Sequence, residues 1–238
     1  MKRLLDIFLA GVGLLAFLPV GICIAMALRF SGEGEVFFRQ FRVGRGGKHF
    51  ALLKFATMLK ASPAMSGGTV TVKNDPRVLP FGHFLRKTKI NEIPQLWNIL
   101  IGEMSFVGPR PLAPETFAYY SPKTAAAITQ VQPGLTGVGS IVFRDEEAIF
   151  ARSSKPPHQC YREDISPRKG ALEEWYLEHR SFWLDLKLIF FTVLVLVHHD
   201  VRFLERWLPG VPLDALRGKG EARDLLPDTS LPGGAAPL

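Results

Sequence analysis

The sequence predicts an α/β fold entered through a re-entrant membrane segment, and three observations predict it. An uncharged run, Ile7–Leu28, has a proline near its middle and basic residues on both flanks. Val36–Phe41 and His49–Phe55 read as two strands joined by a glycine-rich turn. Further on, two segments place apolar residues at helical spacing. The chain then divides into a membrane hairpin at 1–30, a cytosolic or interfacial domain at 31–200, and a disordered tail at 209–238.

A chain of 238 residues can bury one good-sized core, and 47% apolar with 21% charged residues belongs to a folded protein. The net charge of +7 favours acidic partners: nucleic acid, anionic lipid headgroups or phosphorylated small molecules. Cys23 and Cys160 lie far apart in unlike surroundings, so neither a disulfide framework nor a zinc-ligand spacing is present.

Three readings compete for the N-terminal run. A cleaved signal peptide has Lys2 and Arg3 and the small-x-small Ala25-Met26-Ala27 in its favour, and Asp6 and the length of the run against it. A spanning helix of about 33 Å would cross a hydrocarbon core of about 30 Å. Its flanks oppose it: Lys2 and Arg3 on one side, and Arg29, Arg39, Arg42, Arg45 and Lys48 on the other, both ask for the cytoplasm. A hairpin bent at Pro19 satisfies both ends, because proline removes a helical hydrogen bond and forces a turn. The monotopic hairpin is preferred, with a single span as its main rival.

The turn Val43–Lys48 has the look of a phosphate loop, but no glycine stands five places before Gly47 and His49 follows Lys48 where a hydroxyl belongs, so it is a hairpin turn. Residues Ala61–Thr71 form a mobile loop, and Leu85–Lys89 (LRKTK) is a solvated face or a phosphate contact. Ile93, Leu96, Trp97, Leu100 and Ile101 lie on one helix face, with Pro94 in the first turn and Gly102 at the end. Asn91 and Glu92 therefore stand at a helix N-terminus, as a cap and a dipole partner or as a reactive pair. Gly108-Pro109-Arg110-Pro111 presents Arg110 on a stiff backbone suited to bidentate phosphate contact. Gln132–Gly137 is a second turn-rich loop, and the acids of Phe143–Glu147 are a cation site or a solvated helix start. Leu172, Tyr176, His179, Trp183, Leu186, Phe190, Val193 and Val197 predict one long helix with a continuous stripe. Its end, Leu188–Val197, is too short to span and is placed against the membrane interface or the hairpin, and His198-His199-Asp200 is a polar terminus, not a metal site.

Taken together, these segments resemble the monotopic polyprenyl-phosphate phosphoglycosyl transferases, a bacterial sugar transferase family. The resemblance runs from about Lys2 to Val197. It rests on LLDIFLA after a basic start, VFFRQFRVGRGGKHFALLKFATM, NDPRVLPFGHFLRKTKINEIPQLWNILIGEMSFVGPRP, VQPGLTG and SFWLDLK. It implies a re-entrant helix–break–helix packed on a small cytosolic α/β domain with amphipathic interfacial helices, at the cytoplasmic face of the bacterial inner membrane. It implies transfer of a phospho-sugar from a nucleotide diphospho-sugar, a UDP-sugar, to polyprenyl phosphate, as the first membrane step of glycan or exopolysaccharide synthesis. The products are a polyprenyl diphospho-sugar and UMP, with Mg²⁺ as cofactor. The bilayer, polyprenyl phosphate and the nucleotide sugar are the implied partners; nucleic acid is not, and a homodimer is admitted.

By the same resemblance Glu92 is the metal-binding and catalytic acid, and Arg86, Arg110 and, more weakly, Arg144 bind substrate phosphates. The chain departs from the pattern at three places. Leu18-Pro19 stands for Ser-Pro, Ala56 replaces an arginine, and Asn91 occupies the position of the nucleophilic aspartate. An amide is a poor nucleophile, so Glu92, an acid of Asp145-Glu146-Glu147, or direct attack between the two substrates must take over the step. The alternative is a catalytically silent nucleotide-sugar-binding scaffold.

Overall fold

A computed structural model of the chain describes residues 1–31, 33–65, 71–72, 74–198, 204 and 207–213. Residues 66–70, His199-Asp200 and 214–238 lie outside the described residues, and with them most of the expected mobile loop, of the His-His-Asp terminus and of the disordered tail.

Helix α1, Lys2–Arg29, is the one helix among the described residues long and apolar enough to cross a membrane. It is continuous through Pro19, which corrects the expected helix–break–helix form. The reason lies in its contacts. Ala10 packs with Phe50, Leu52, Leu96 and Ile99, while Ile24 and Leu28 pack with Phe55 and Leu85, so the helix is held on both sides of the proline. Any re-entry must then come from bending, not from an unwound segment. The opposite face carries Leu4, Phe8, Leu15, Leu18 and Ile22, all exposed. A helix apolar all round needs two apolar neighbours, and this fold supplies one of them.

The N-terminal turn of α1 is riveted by polar contacts. Asp6, 5% exposed, accepts from the Ser105 hydroxyl at 3.1 Å and the Phe106 amide at 3.0 Å. Arg3 donates to the Ile99 and Leu100 carbonyls, and Lys2 to Val107 O at 2.8 Å and Asp185 at 2.6 Å. An acid at the front of an apolar run is thus a docking group for a strand edge.

Strands β1, Phe37–Val43, and β2, His49–Phe55, pair antiparallel with Phe37 opposite Phe55 and Val43 opposite His49, as the sequence predicts. Helices α2, Pro80–Lys87, and α3, Gln95–Ile101, follow. The buried face of α3 is Gln95, Leu96, Asn98 and Ile99; Trp97 and Ile101, expected to be buried, are half exposed. Asn98 explains the rotation, because its amide accepts from Leu53 N and donates to Ala51 O, satisfying the free edge of β2.

Strands β3, Ser105–Val107, and β4, Gly134–Thr136, form a short parallel pair. Between and after them come α4, Pro114–Phe117, α5, Pro122–Ile128, α6, Val138–Val142, α7, Glu146–Arg152, and α8, Pro157–Cys160. The expected long helix is two: α9, Ser166–His179, and α10, Phe182–His198. Arg180 turns extended (φ −54, ψ 127) and the Ser181 hydroxyl accepts from Leu184 N at 3.1 Å, starting a new helix. The break shifts the phase. Leu184, Leu188, Phe191 and Val195 enter the largest core, while Trp183, Phe190 and Val193 of the expected stripe face outward.

Candidate functional site

The site forms where the β1–β2 hairpin, the turn before α3 and the loop after β3 converge. Lys89 takes a left-handed conformation (φ 59) and tips the chain into a 3-10 turn, Ile90–Glu92. Neither Asn91 nor Glu92 caps α3: Pro94 holds the cap position and no side-chain cap bond is made. The capping alternative is therefore set aside. Asn91 is 6% exposed, and its Oδ1 is buried with no hydrogen-bond partner.

Glu92 faces Lys54 of β2 at 3.7 Å and Arg110 at 3.8 Å. These are long ion pairs, beyond hydrogen-bond reach, so the carboxylate is attracted without being saturated. Burial raises its pKa, but Lys54, Arg110 and Lys89 outweigh that and hold it at about 2. Lys54 shows the reverse. Burial pushes it down most, Glu92 pulls it back, and the like charges of Arg110, Arg42 and Arg86 push it further, to about 7. Burial also lowers Lys89, and brings Arg42 to about 10 with Arg110 adding repulsion. Arg42, Lys89, Arg110 and a Lys54 that is half protonated near neutral pH thus surround Glu92, with Glu146 also acting on Arg42 and Arg110. Arg42, Lys54, Gln95 and Arg110 line a small cleft there, and the buried Nε of Arg42 also has no hydrogen-bond partner. Excess positive charge with unused hydrogen-bond capacity is the signature of an anion site.

The loop that presents Arg110 is locked from behind. Gly108 N donates to Thr136 O and Gly134 N to Pro109 O. A side chain at Gly134 would collide with the backbone nitrogen of Gly108, so the two turn-rich loops touch backbone to backbone only because both are glycine there. Arg110 N lies 3.5 Å from Glu173, a buried acid that desolvation lifts to about 7.

Of the arginines expected to bind substrate, Arg110 is central. Arg86 contributes to the field around Lys54 and Lys89, and pairs with Glu147 at 3.3 Å. Arg144 stands at the rim: its guanidinium donates to the Val195 carbonyl, although its charge is felt at Lys89. The acids of Phe143–Glu147 are a helix start, with Asp145 capping α7 through Ala148 N, Glu146 bound to Lys169 and Glu147 to Arg86. Lys54 and Arg42 escaped the sequence reading; a lysine inside the apolar strand HFALLKF was the available signal.

Among the described residues no group of three or more His, Cys, Asp or Glu could hold a metal ion. Glu92 offers one carboxylate between Lys54 and Arg110, and Mg²⁺ commonly takes one or two carboxylates and completes its shell with substrate phosphates and water.

A profile of the bacterial sugar transferase family matches residues 1–199. The chain is 34% identical over 197 residues to the undecaprenyl-phosphate glucose phosphotransferase of Komagataeibacter xylinus, covering 81% of this chain and 35% of that protein. It is 36% identical over 196 residues to the UDP-glucose:undecaprenyl-phosphate glucose-1-phosphate transferase of Escherichia coli (strain K12), covering 81% and 39%. With the exopolysaccharide production protein ExoY of Rhizobium meliloti (strain 1021) it shares 32% over 206 residues, covering 81% and 83%. The chain thus spans little more than a third of the length of the first two and most of the third. With a family profile matched from its first residue to the end of α10, the chain belongs to the bacterial sugar transferase family.

Proposed function

We propose that this chain transfers a phospho-sugar from a UDP-sugar to polyprenyl phosphate, releasing UMP and leaving a polyprenyl diphospho-sugar, at the cytoplasmic face of the inner membrane. The observation that carries this is the crowding of Arg42, Lys54, Lys89 and Arg110 around the single carboxylate of Glu92. Bound phosphates would offset the positive charge of such a cluster. The printed activities of the glucose-1-phosphate transferases above support the same chemistry, and the ExoY relative supports a place in exopolysaccharide production.

Membrane placement has its own support. Both ends of α1 rest on one domain, Lys2 against Val107 and Asp185, and Leu28 against the Phe55 and Leu85 cluster. A helix crossing the bilayer would carry one of those ends away from the domain, so the arrangement favours the monotopic reading over a span. The exposed apolar face of α1 and outward-facing Trp183 and Phe190 of α10 supply the lipid-facing surface.

Glu92 would hold Mg²⁺, which when bound offsets diphosphate charge. Arg110, fixed by the two prolines and the glycine contact behind it, would grip the diphosphate, and Lys54 would add a proton-dependent charge beside it. The assay is UMP release by the full-length protein with UDP-glucose, UDP-galactose or UDP-N-acetylglucosamine, undecaprenyl phosphate and Mg²⁺. Release with at least one donor is expected. Binding of donors without release by any of them would favour the silent scaffold, the reading that Asn91 supports.

A further inference from the structure

Resting on that function, we infer that Glu173 is a positioning residue for the reaction: it holds the Arg110 peptide from α9, and through that peptide it aims the guanidinium that grips the diphosphate. The first argument is the backbone of the loop. Proline has no N–H, so Arg110 carries the one amide donor in Pro109-Arg110-Pro111. Glu173 Oε1 stands 3.5 Å from that nitrogen. Two carbonyls of the stretch are tied already, Pro109 O by Gly134 N and Pro111 O by Arg42. The Arg110 amide adds a third hold, and this one comes from a long helix. Leu172, Trp175 and Tyr176, on either side of Glu173, belong to the largest core, so the acid is mounted on a rigid element.

The second argument is what the acid costs the fold. Glu173 is 2% exposed, and its Oε2 is buried with no hydrogen-bond partner. Desolvation opposes its charged form and lifts it to about 7. Lys169, one helical turn earlier, does not pair with it. That ammonium is bound to Glu146 and lies 5.9 and 5.8 Å from the Phe143 and Tyr161 rings. An apolar side chain would fill the same space at lower cost. The fold instead leaves room for the carboxylate: a Cβ at Gly139 would overlap Glu173 Oε1. A poorly paired buried acid, housed against a glycine and aimed at the peptide of a binding residue, is accounted for by the site.

The third argument is that Arg110 is held at both ends. Its guanidinium meets Glu92 at 3.8 Å and its amide meets Glu173. Burial lowers the pKa of Arg110, and the fields of Glu92, Glu146, Tyr161 and Glu173 together raise it. At 3.5 Å the amide contact is long for a hydrogen bond, but the charge of Glu173 also reaches the guanidinium. Loss of Glu173 therefore frees the loop and weakens the field at the same residue.

The test is a double-mutant cycle on full-length protein in lipid nanodiscs with Mg²⁺, read as the Kd of UDP-glucose in titration calorimetry. Glu173→Met removes the acceptor and should weaken binding by about fivefold to tenfold. Glu173→Gln keeps an acceptor oxygen for the Arg110 amide and should recover most of that loss. In the Arg110→Ala background Glu173→Met should change Kd by less than about twofold, because the side chain it positions is gone. Gly139→Ala reaches the same contact with Glu173 still in the chain, by displacing its carboxylate, and should weaken binding as Glu173→Met does. It carries the test if Glu173→Met does not fold. Equal losses from Glu173→Met with and without the Arg110 side chain would make Glu173 a structural acid and overturn the inference. Glu173→Gln as weak as Glu173→Met, or unchanged affinity in both Glu173→Met and Gly139→Ala, would also overturn it. Each of these results leaves the proposed function standing, whereas wild type that neither binds nor turns over any UDP-sugar overturns both.

Discussion

Two charged regions of this molecule are built on opposite plans. Asp75 and Arg77 form a buried pair, with side chains 3% and 4% exposed. Nε and Nη2 of Arg77 donate to the two carboxylate oxygens at 2.9 and 2.6 Å, and Nη1 donates to the Ser62 carbonyl. Hydrogen bonding pulls the acid's pKa down and pushes the base's up, each stabilising the ionised form of the other. Around Glu92 the ion pairs are 3.7 and 3.8 Å long, cations face cations, and Lys54 is driven down to about 7. The first plan is complete as it stands; the second is completed by an anion. That difference separates a structural ion pair from a binding site better than a count of charges does.

Substitutions sharpen the contrast. Glu92→Gln should bring UMP release to the assay floor, a loss beyond about 10²-fold, and should also lower the melting temperature, because a carboxylate held at about 2 by its cations stabilises the fold. Retained turnover would mean that the carboxylate is a spectator. Asp75→Ala should separate the two readouts. Leaving Arg77 without its acid in a buried setting costs about 3–5 kcal/mol, read as a lower melting temperature, with kcat/KM preserved at a permissive temperature. A third change, Arg110→Ala, removes charge-assisted bonds of about 1.5–3 kcal/mol and should weaken UDP-sugar binding by about 10- to 100-fold. Equal affinity in titration calorimetry would take Arg110 out of the site.

The two plans were unequally legible in the sequence. The hairpin, the helix starting beyond Pro94 and the stiff loop carrying Arg110 are local, and turn chemistry with periodicity located them. The phase of the C-terminal helices was not legible, because one extended residue, Arg180, resets the stripe and periodicity carries across it unnoticed. Asn98 was read past for a similar reason: an amide that satisfies a distant strand edge looks like any polar helix residue. At the site, Arg110 and Glu92 stood out beside prolines and at a turn. Lys54 and Arg42 sit inside strands, and only the three-dimensional convergence of strand, turn and loop gives their charges a common neighbour. The acids after Arg144 read as a cation site or a helix start, and they are the start of α7.

Lys54 gives the finest test of the second plan. Its ordinary pKa of 10.5 falls to about 7 in the folded, unliganded chain, so the unfolded chain binds the extra proton between those values. Stability should therefore rise with pH from about 7 toward 10.5, the reverse of what a well-paired lysine would contribute. A bound diphosphate favours the protonated amine and raises its pKa. Binding above pH 7 must then take up a proton, and affinity should fall as pH rises, by at most about tenfold per unit. UDP-glucose is the probe to use, since its diphosphate has no group titrating near 7. Calorimetry in buffers of different ionisation enthalpy would count the proton directly. Lys54→Met should bind more weakly at pH 6 and lose the slope above 7. A slope that survives in Lys54→Met would assign the proton to another group and leave Lys54 a paired structural lysine like any other.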